Sequence, residues 1–280
     1  MTPQPAADHP VRLPLPPRFV LGKTVIDRVS MQRAVLLLRD VLLHRGTRPP
    51  LTVVGPNAHL VNIAERDERF AGAMRSADLA VPDGISVVLA SRLLGAPVPE
   101  RVTGGDLMEA MCAEAAKCGL HVFLLGGPTG AATLAACNLG RRYPGLKICG
   151  TYCPPPGFEK DPAELERMRA AISRKAPDLL FVAFGAPKQE IWMSENQPFL
   201  PVGAMVAVGA AFERQAGLRR RAPRWMQRAG LEWFFRLMLE PRRLWRRYLI
   251  GNCSFALLVL RQALREKWAP GRVDPKKTAY

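Results

Sequence analysis

Several signatures are missing from this sequence, and each absence closes off a class of chemistry. Its four histidines (His9, His44, His59, His121) are scattered without metal-ligand spacing, so a zinc site is not expected. Its six cysteines (Cys112, Cys118, Cys137, Cys149, Cys153, Cys253) contain no C-x-x-C pair, which fits a reduced, cytosolic chain. There is no G-x-S-x-G nucleophile turn and no G-x-x-x-x-G-K-[ST] loop. Nor is there an Asp-x-Asp pair to hold a divalent cation under a phosphorylated ligand. Glu65-x-Asp67 comes nearest, but it falls inside a helical pattern. Long apolar runs are absent too. The stretch Phe255–Leu260 (FALLVL) falls far short of the roughly 20 residues a membrane-spanning helix needs. The opening MTPQPAADHPVRLPLPP is proline-rich and lacks an apolar signal core, so residues 1–18 read as a disordered leader. No internal repeat is visible.

What is present is an ordinary globular body joined to a basic tail. At 280 residues and 48% apolar composition the chain can bury a full core. The net charge of +16 is concentrated beyond residue 218, where 16 Lys/Arg face 4 Asp/Glu; the preceding part carries 24 and 20. In that tail Trp225, Trp233, Phe234, Phe235, Trp245 and Tyr248 are interleaved with arginines. Such asymmetry points to a polyanionic partner: nucleic acid, anionic lipid or phosphate groups. No zinc finger, RRM or helix-turn-helix signature supports nucleic acid, which leaves lipid or phosphates.

Short apolar runs alternate with helical patterns from about residue 30. MQRAVLLLRDVLLHRG, AHLVNIAERDERFAGAM, ISVVLASRLLG, GDLMEAMCAEAAKCG, TGAATLAACNLGRRY and DPAELERMRAAISRKA read as helices. LTVVG, DLAVPDG, LHVFLLGG, LKICGTY, DLLFVAFG and VGAMVAVGAAF read as strands. Asn57 suits an N-cap, and Asp161-Pro162 with Glu164 is a strong helix start. The alternation predicts an α/β fold: a mostly parallel, Rossmann-like sheet with helices on both faces over residues 19–218. A basic amphipathic helical appendage is expected over 219–280.

In open α/β sheets ligands bind beyond the carboxyl ends of the strands, and four such ends carry unusual residues. LLGGPTG, with Gly126 and Gly127, is a strand-to-helix turn whose amides could hold a phosphate. A tight turn requiring positive φ explains the same glycines. A nicotinamide-dependent oxidoreductase would use this turn, but the acidic residue it expects about 20 positions on is missing. VPDGIS sets Asp83 at a strand end, where partial desolvation would raise its pKa and make it a better base; helix capping is the alternative. FGAPKQE sets Lys188, Gln189 and Glu190 at a helix start, suited to a sugar or nucleotide or simply to solvent. GPNAH supplies Asn57.

Taken in order, PNAHLV, ADLAVPDGISVV, RVTGGDL, VFLLGG, PDLLFVAFGAPKQE, VGAAFERQAG, RAPRWMQRAGLEWFFRL and EPRRLWRRYL resemble the WecG/TagA/CpsF glycosyltransferases, glycosyltransferase family 26. The resemblance spans about residues 52–249. It implies inverting transfer of a hexose or N-acetylhexosamine from a UDP-sugar to a polyprenyl-diphosphate-linked saccharide, in cell-surface polysaccharide assembly. The enzyme would sit peripherally on the cytoplasmic face of the bacterial membrane, with no cofactor and no metal. On this resemblance Asp83 is the expected general base. Asn57, Arg101, Thr103, Lys188 and Gln189 would line the sugar pocket. Gly126, Gly127, Gly185, Glu213, Arg219, Arg221 and Arg224 would serve the UDP, the arginines stabilising the leaving diphosphate. Two departures bear on the donor. Gly55 stands where the family usually has Thr, and CPPPGF (Cys153–Phe158) differs from the aminosugar-transferring members. A plain hexose donor therefore stands beside N-acetylmannosamine.

Pro241 predicts a helix end near Glu240 and a new helix from Pro241. At about 100° per residue, Leu244, Trp245, Tyr248 and Leu249 share one half of it, and Arg242, Arg243, Arg246 and Arg247 the other. This pattern suits an anionic membrane surface, with packing on the parent domain as the alternative.

Overall fold

The computed structural model describes residues 13–46 and 48–268. Two strands, β1 (Arg18–Leu21) and β2 (Thr24–Asp27), form an antiparallel hairpin. They are followed by β3 (Leu51–Val54), β4 (Leu79–Ala80), β5 (His121–Gly126), β6 (Lys147–Tyr152), β7 (Leu179–Ala183) and β8 (Ala204–Ala207). These later strands make one parallel sheet in the order β4-β3-β8-β7-β5-β6. The helices are α1 (Met31–Leu43), α2 (Ala58–Ala64), α3 (Glu68–Ser76), α4 (Ile85–Leu93), α5 (Gly104–Cys118), α6 (Ala131–Arg142) and α7 (Pro162–Lys175). The remainder are α8 (Lys188–Asn196), α9 (Ala211–Gln215), α10 (Arg224–Arg228), α11 (Glu232–Leu239), α12 (Pro241–Trp245) and α13 (Gly251–Trp268). The α/β, Rossmann-like architecture expected from the alternating pattern is the one found.

Local chemistry accounts for most of the element starts. Ser30, Asn57, Thr103 and Asp161 each accept backbone N–H groups at the first turns of α1, α2, α5 and α7. One expected helix is two. After α2 the chain turns, and Asp67 accepts from the Phe70 amide at 3.0 Å to start α3 afresh. Glu65 and Asp67 therefore sit at a turn, and not within a helix.

The strands are apolar on both sides because both faces are covered. Leu38, Met108, Met111 and Leu139 pack from α1, α5 and α6 on one face. On the other, Met168 and Ile172 of α7 meet Trp192 and Met193 of α8. Phe70 and Met74 of α3 extend the packing beside Leu60 of α2.

The β1–β2 hairpin is a feature the sequence reading passed over. Alternating residues on either side of Gly22-Lys23 were its local signal. It protects the sheet edge. Asp27, almost fully buried, accepts the Ala80 amide of β4 at 2.6 Å and is held by Arg18 through two contacts of 2.9 Å. The proline-rich leader falls, over residues 1–12, outside the described residues; Leu13 already rests against the core.

The tail folds back onto the body. Pro241 opens α12 as expected, and a π-helical turn (Arg246–Ile250) carries it into α13. Phe255 and Val259 of α13 are buried with Leu21 and Ile26 of the hairpin. Asn62 Nδ2 donates to the Gly251 carbonyl at 2.7 Å, and Gln262 bonds both Gly22 N and the Val20 carbonyl. Among the described residues no helix is long and apolar enough to cross a membrane.

Candidate active site

The carboxyl ends of β3, β4, β5, β7 and β8 open onto a cavity of about 620 Å³, whose other side is formed by the tail. Asn57, Asp83, Arg101, Thr103, Gly126, Gly127, Gly185, Lys188, Gln189, Glu213 and Arg219 all line it. Residues spread over more than 160 positions are thus brought together at the strand ends, with Arg101 and Thr103 arriving on the segment before α5 and Arg219 on the one after α9. Glu232, Trp233, Arg236, Arg243 and Tyr248 line it from the tail.

Asp83 follows β4, and its amide is held by the Pro56 carbonyl at 3.0 Å. It does not cap α4: Gly84 occupies that position at φ 115°, with no side-chain cap bond. Burial pushes the Asp83 carboxyl up to about 6, and the nearby Glu232 carboxylate adds to the push. Arg214, Arg101 and Arg236 pull it partly back. At neutral pH such a group is ionised but a stronger base than a free carboxylate. Gly55 gives it room. A Cβ at position 55 would stand 3.2 Å from Asp83 Cβ and 3.4 Å from Oδ2, so a larger residue would crowd the carboxylate.

The other expected residues divide by what they already hold. Gln189 is buried, accepts the Gly185 and Gly209 amides at 3.2 Å each, and donates to Glu190 at 2.8 Å. It ties the loops after β7 and β8 together. Lys188 pairs with Glu159 at 2.6 Å. Thr103 exchanges hydrogen bonds with Asp106 while capping α5, and Asn57 Oδ1 is engaged by the α2 cap. Gly126, at φ 100°, touches Phe184 and the Ala183 backbone where any Cβ would lie within 2.9 Å. Glycine is obligatory there for packing.

The arginines are largely paired. Arg101 meets Glu232 at 3.1 Å, and Arg219 meets Glu240 and Glu213. Arg221, held by Asp106 at 2.6 Å, stands outside the cavity lining. The Arg224 and Arg247 side chains lie outside what the structure describes. Within the segment expected at the membrane, Leu244 is buried, and Arg243 and Tyr248 turn to the cavity, Tyr248 against the Trp233 ring. Arg242 stays exposed, and Arg246 lies over the exposed Trp245 ring.

Four charged residues escaped attention as functional candidates. Glu232 and Arg236 come from α11 and Arg214 from α9, and each reads locally as a solvated charge. Glu190 reads in the sequence as one of three polar residues at a helix start. It is 1% exposed, its Oε2 has no hydrogen-bond partner, and burial raises its carboxyl to about 7 against the bond from Gln189. No group of His, Cys, Asp and Glu suited to holding a metal occurs among the described residues.

Comparison with known proteins places this geometry in context. The model for the "Glycosyl transferase WecG/TagA/CpsF family" matches residues 19–269. The chain is 31% identical over 217 residues to the N-acetylglucosaminyldiphosphoundecaprenol N-acetyl-beta-D-mannosaminyltransferase of Bacillus subtilis (strain 168), covering 78% of this chain and 81% of that protein. It is 33% identical over 197 residues to the protein of the same name from Bacillus spizizenii, covering 70% and 74%.

Proposed function

Since the chain belongs to the glycosyl transferase WecG/TagA/CpsF family, we propose that it moves a hexose or N-acetylhexosamine from a UDP-sugar, with inversion, onto a polyprenyl-diphosphate-linked saccharide. Asp83 carries this reading: a carboxyl raised to about 6, open to a cavity large enough for a sugar nucleotide and ringed by arginines. In the reaction Asp83 takes the proton of an acceptor hydroxyl. The freed oxygen attacks the anomeric carbon from the face opposite the nucleotide. The bond from that carbon to the UDP oxygen breaks, and its electron pair leaves on the diphosphate. Cavity arginines stabilise the charge that develops there, without a metal ion. The Bacillus relatives are named for N-acetylmannosamine transfer to N-acetylglucosaminyldiphosphoundecaprenol, which makes that donor and acceptor the first pair to try. Gly55 leaves space beside Asp83 and keeps a plain hexose in the comparison.

The acceptor lipid brings the enzyme to the cytoplasmic membrane face, in cell-surface polysaccharide assembly. Trp245, Leu249 and Ile250 are exposed, and Leu257, Leu260 and Leu264 continue an exposed apolar stripe along α13. Basic Arg242, Arg246, Arg261 and Arg265 lie in the same helices. That combination suits an anionic lipid surface.

The decisive experiment offers UDP-sugars in turn with a short-chain prenyl-diphosphate N-acetylglucosamine acceptor, with and without EDTA. One donor should support transfer, and EDTA should leave the rate unchanged. Transfer with no UDP-sugar would end this reading; a strict need for Mg²⁺ or Mn²⁺ would end its metal-free form. Co-sedimentation with anionic vesicles tests the surface. Leu249, Ile250 and Leu257 changed together to Ser should weaken sedimentation at least tenfold, and an unchanged result would remove α13 from the membrane.

A further inference from the structure

Among the arginines that line the cavity, one has an unusual seat. Arg214 leaves the short helix α9 and lays its guanidinium over the first turn of α5. Position 105 is glycine there, and a Cβ on it would stand 1.6 Å from Arg214 Nη2 and 2.8 Å from Cζ. The side chain thus occupies a gap that only glycine leaves open. Arg101, Arg219 and Arg221 each have a carboxylate partner. Arg214 and Arg236 line the cavity and make no ion pair among the described residues. Burial above all lowers the Arg214 pKa; Arg221 and Arg236 add to this, and Glu232 and Asp83 partly oppose it. A half-buried guanidinium that lines the cavity, sits near two others and has no ion-pair partner among the described residues is suited to receive an anion there.

We infer that Arg214, seated in the gap at Gly105 and backed by Arg236, is a diphosphate-binding residue of this site. The inference deepens the proposed transfer reaction and rests on it. Planar guanidinium donors match the non-bridging oxygens of a diphosphate, and the backbone amides at the α5 N-terminus lie alongside. Two substrates present that chemistry, the UDP of the donor and the prenyl diphosphate of the acceptor.

The test measures binding of UDP, UMP and farnesyl diphosphate to the full-length protein by calorimetry, for wild type and Arg214→Gln. If the donor diphosphate is bound, wild type prefers UDP to UMP, and Arg214→Gln loses roughly 10- to 100-fold in UDP affinity with UMP unchanged. If the acceptor diphosphate is bound, the loss falls on farnesyl diphosphate and the UDP-to-UMP ratio stays as in wild type. Gly105→Ala supplies a second variant, since it displaces the guanidinium while keeping its charge; it should shift the same ligand in the same direction by less. Unchanged affinity for both diphosphates in both variants overturns the inference. A wild type that binds no UDP overturns the sugar-nucleotide reading instead, and farnesyl diphosphate then decides the role of Arg214.

Discussion

Asp83 and Glu190 are two carboxyls at two strand ends, raised by the same cause and left in opposite situations. Burial dominates both, carrying Asp83 to about 6 and Glu190 to about 7. Around Asp83 stand charges of both signs, with Glu232 pushing and three arginines pulling. Around Glu190 burial is opposed by hydrogen bonds and not by charge, from the Gln189 amide and a backbone amide, and one oxygen has no partner among the described residues. Asp83 is partly open to the cavity, whereas Glu190 is closed to solvent. A raised pKa therefore does not by itself make a base. Access for the acceptor, and counter-charge to hold the ionised form at neutral pH, separate the two.

Substitution should break the comparison most sharply at Asp83. Asp83→Asn is expected to lose about 10²–10⁴ in transfer rate with UDP affinity unchanged, because the base acts on the acceptor hydroxyl. Steady-state rates beside UDP calorimetry check both halves, and a rate within a few-fold of wild type would remove Asp83 from the chemistry.

Glu190→Gln should act on stability instead. A carboxyl whose folded pKa lies above its unfolded one favours the fold while protonated. Its contribution is present below about 4.5 and lost as pH rises through about 7. The Gln variant lacks this fall, so its advantage over wild type should grow across that window to about 3 kcal/mol. Denaturant titrations at pH 4.5 and 8 read the difference directly, and equal curves would show that Glu190 carries no such strain.

The smallest effect sharpens the cause assigned to Asp83. With Asp83 as the proposed base, its ionised form would be the active one, so transfer should rise with pH through about 6 and then level off. Glu232→Gln removes the neighbouring negative charge and should move that rise to lower pH by less than one unit. A pH–rate profile for kcat/KM tests it; a shift to higher pH would mean that Arg101, no longer held by Glu232, has moved away from Asp83.

Most of the framework was legible because it is local. Continuous apolar strands such as Leu179–Ala183, caps such as Asn57 and Asp161, and Asp83 at a strand end are written in a few adjacent residues each. The rest depends on distant parts of the chain. Arg214 next to Glu213 looks like a surface helix, and only the approach of Gly105 from α5 makes it a half-buried residue of the cavity wall. Glu232 and Arg236 enter the site because the tail folds across the strand ends. The tail's charge suggested a polyanionic partner, while some of its charged residues are held in ion pairs: Glu232 with Arg101, Arg221 with Asp106, and Glu240 with Arg219. The hairpin is hard to read because its strands are four residues each, so the alternation beside Gly22-Lys23 spans very few residues.

The order of the sheet has a consequence for how the chain is made. The last described strand in the sequence, β8, lies between β3 and β7, and Ala204, Met205 and Val206 each pair with both. Until it emerges from the ribosome, β3–β4 and β5–β6–β7 are two ribbons with bare inner edges. At about 5–20 residues per second, the wait between β3 and β8 is on the order of ten seconds. Through that interval the nascent chain exposes the apolar, unpaired strand edges that most readily join to other chains. A chaperone's protection during synthesis thus matters most before Ala204, and a ribosome stalled short of that residue would release a protein unable to close its own sheet.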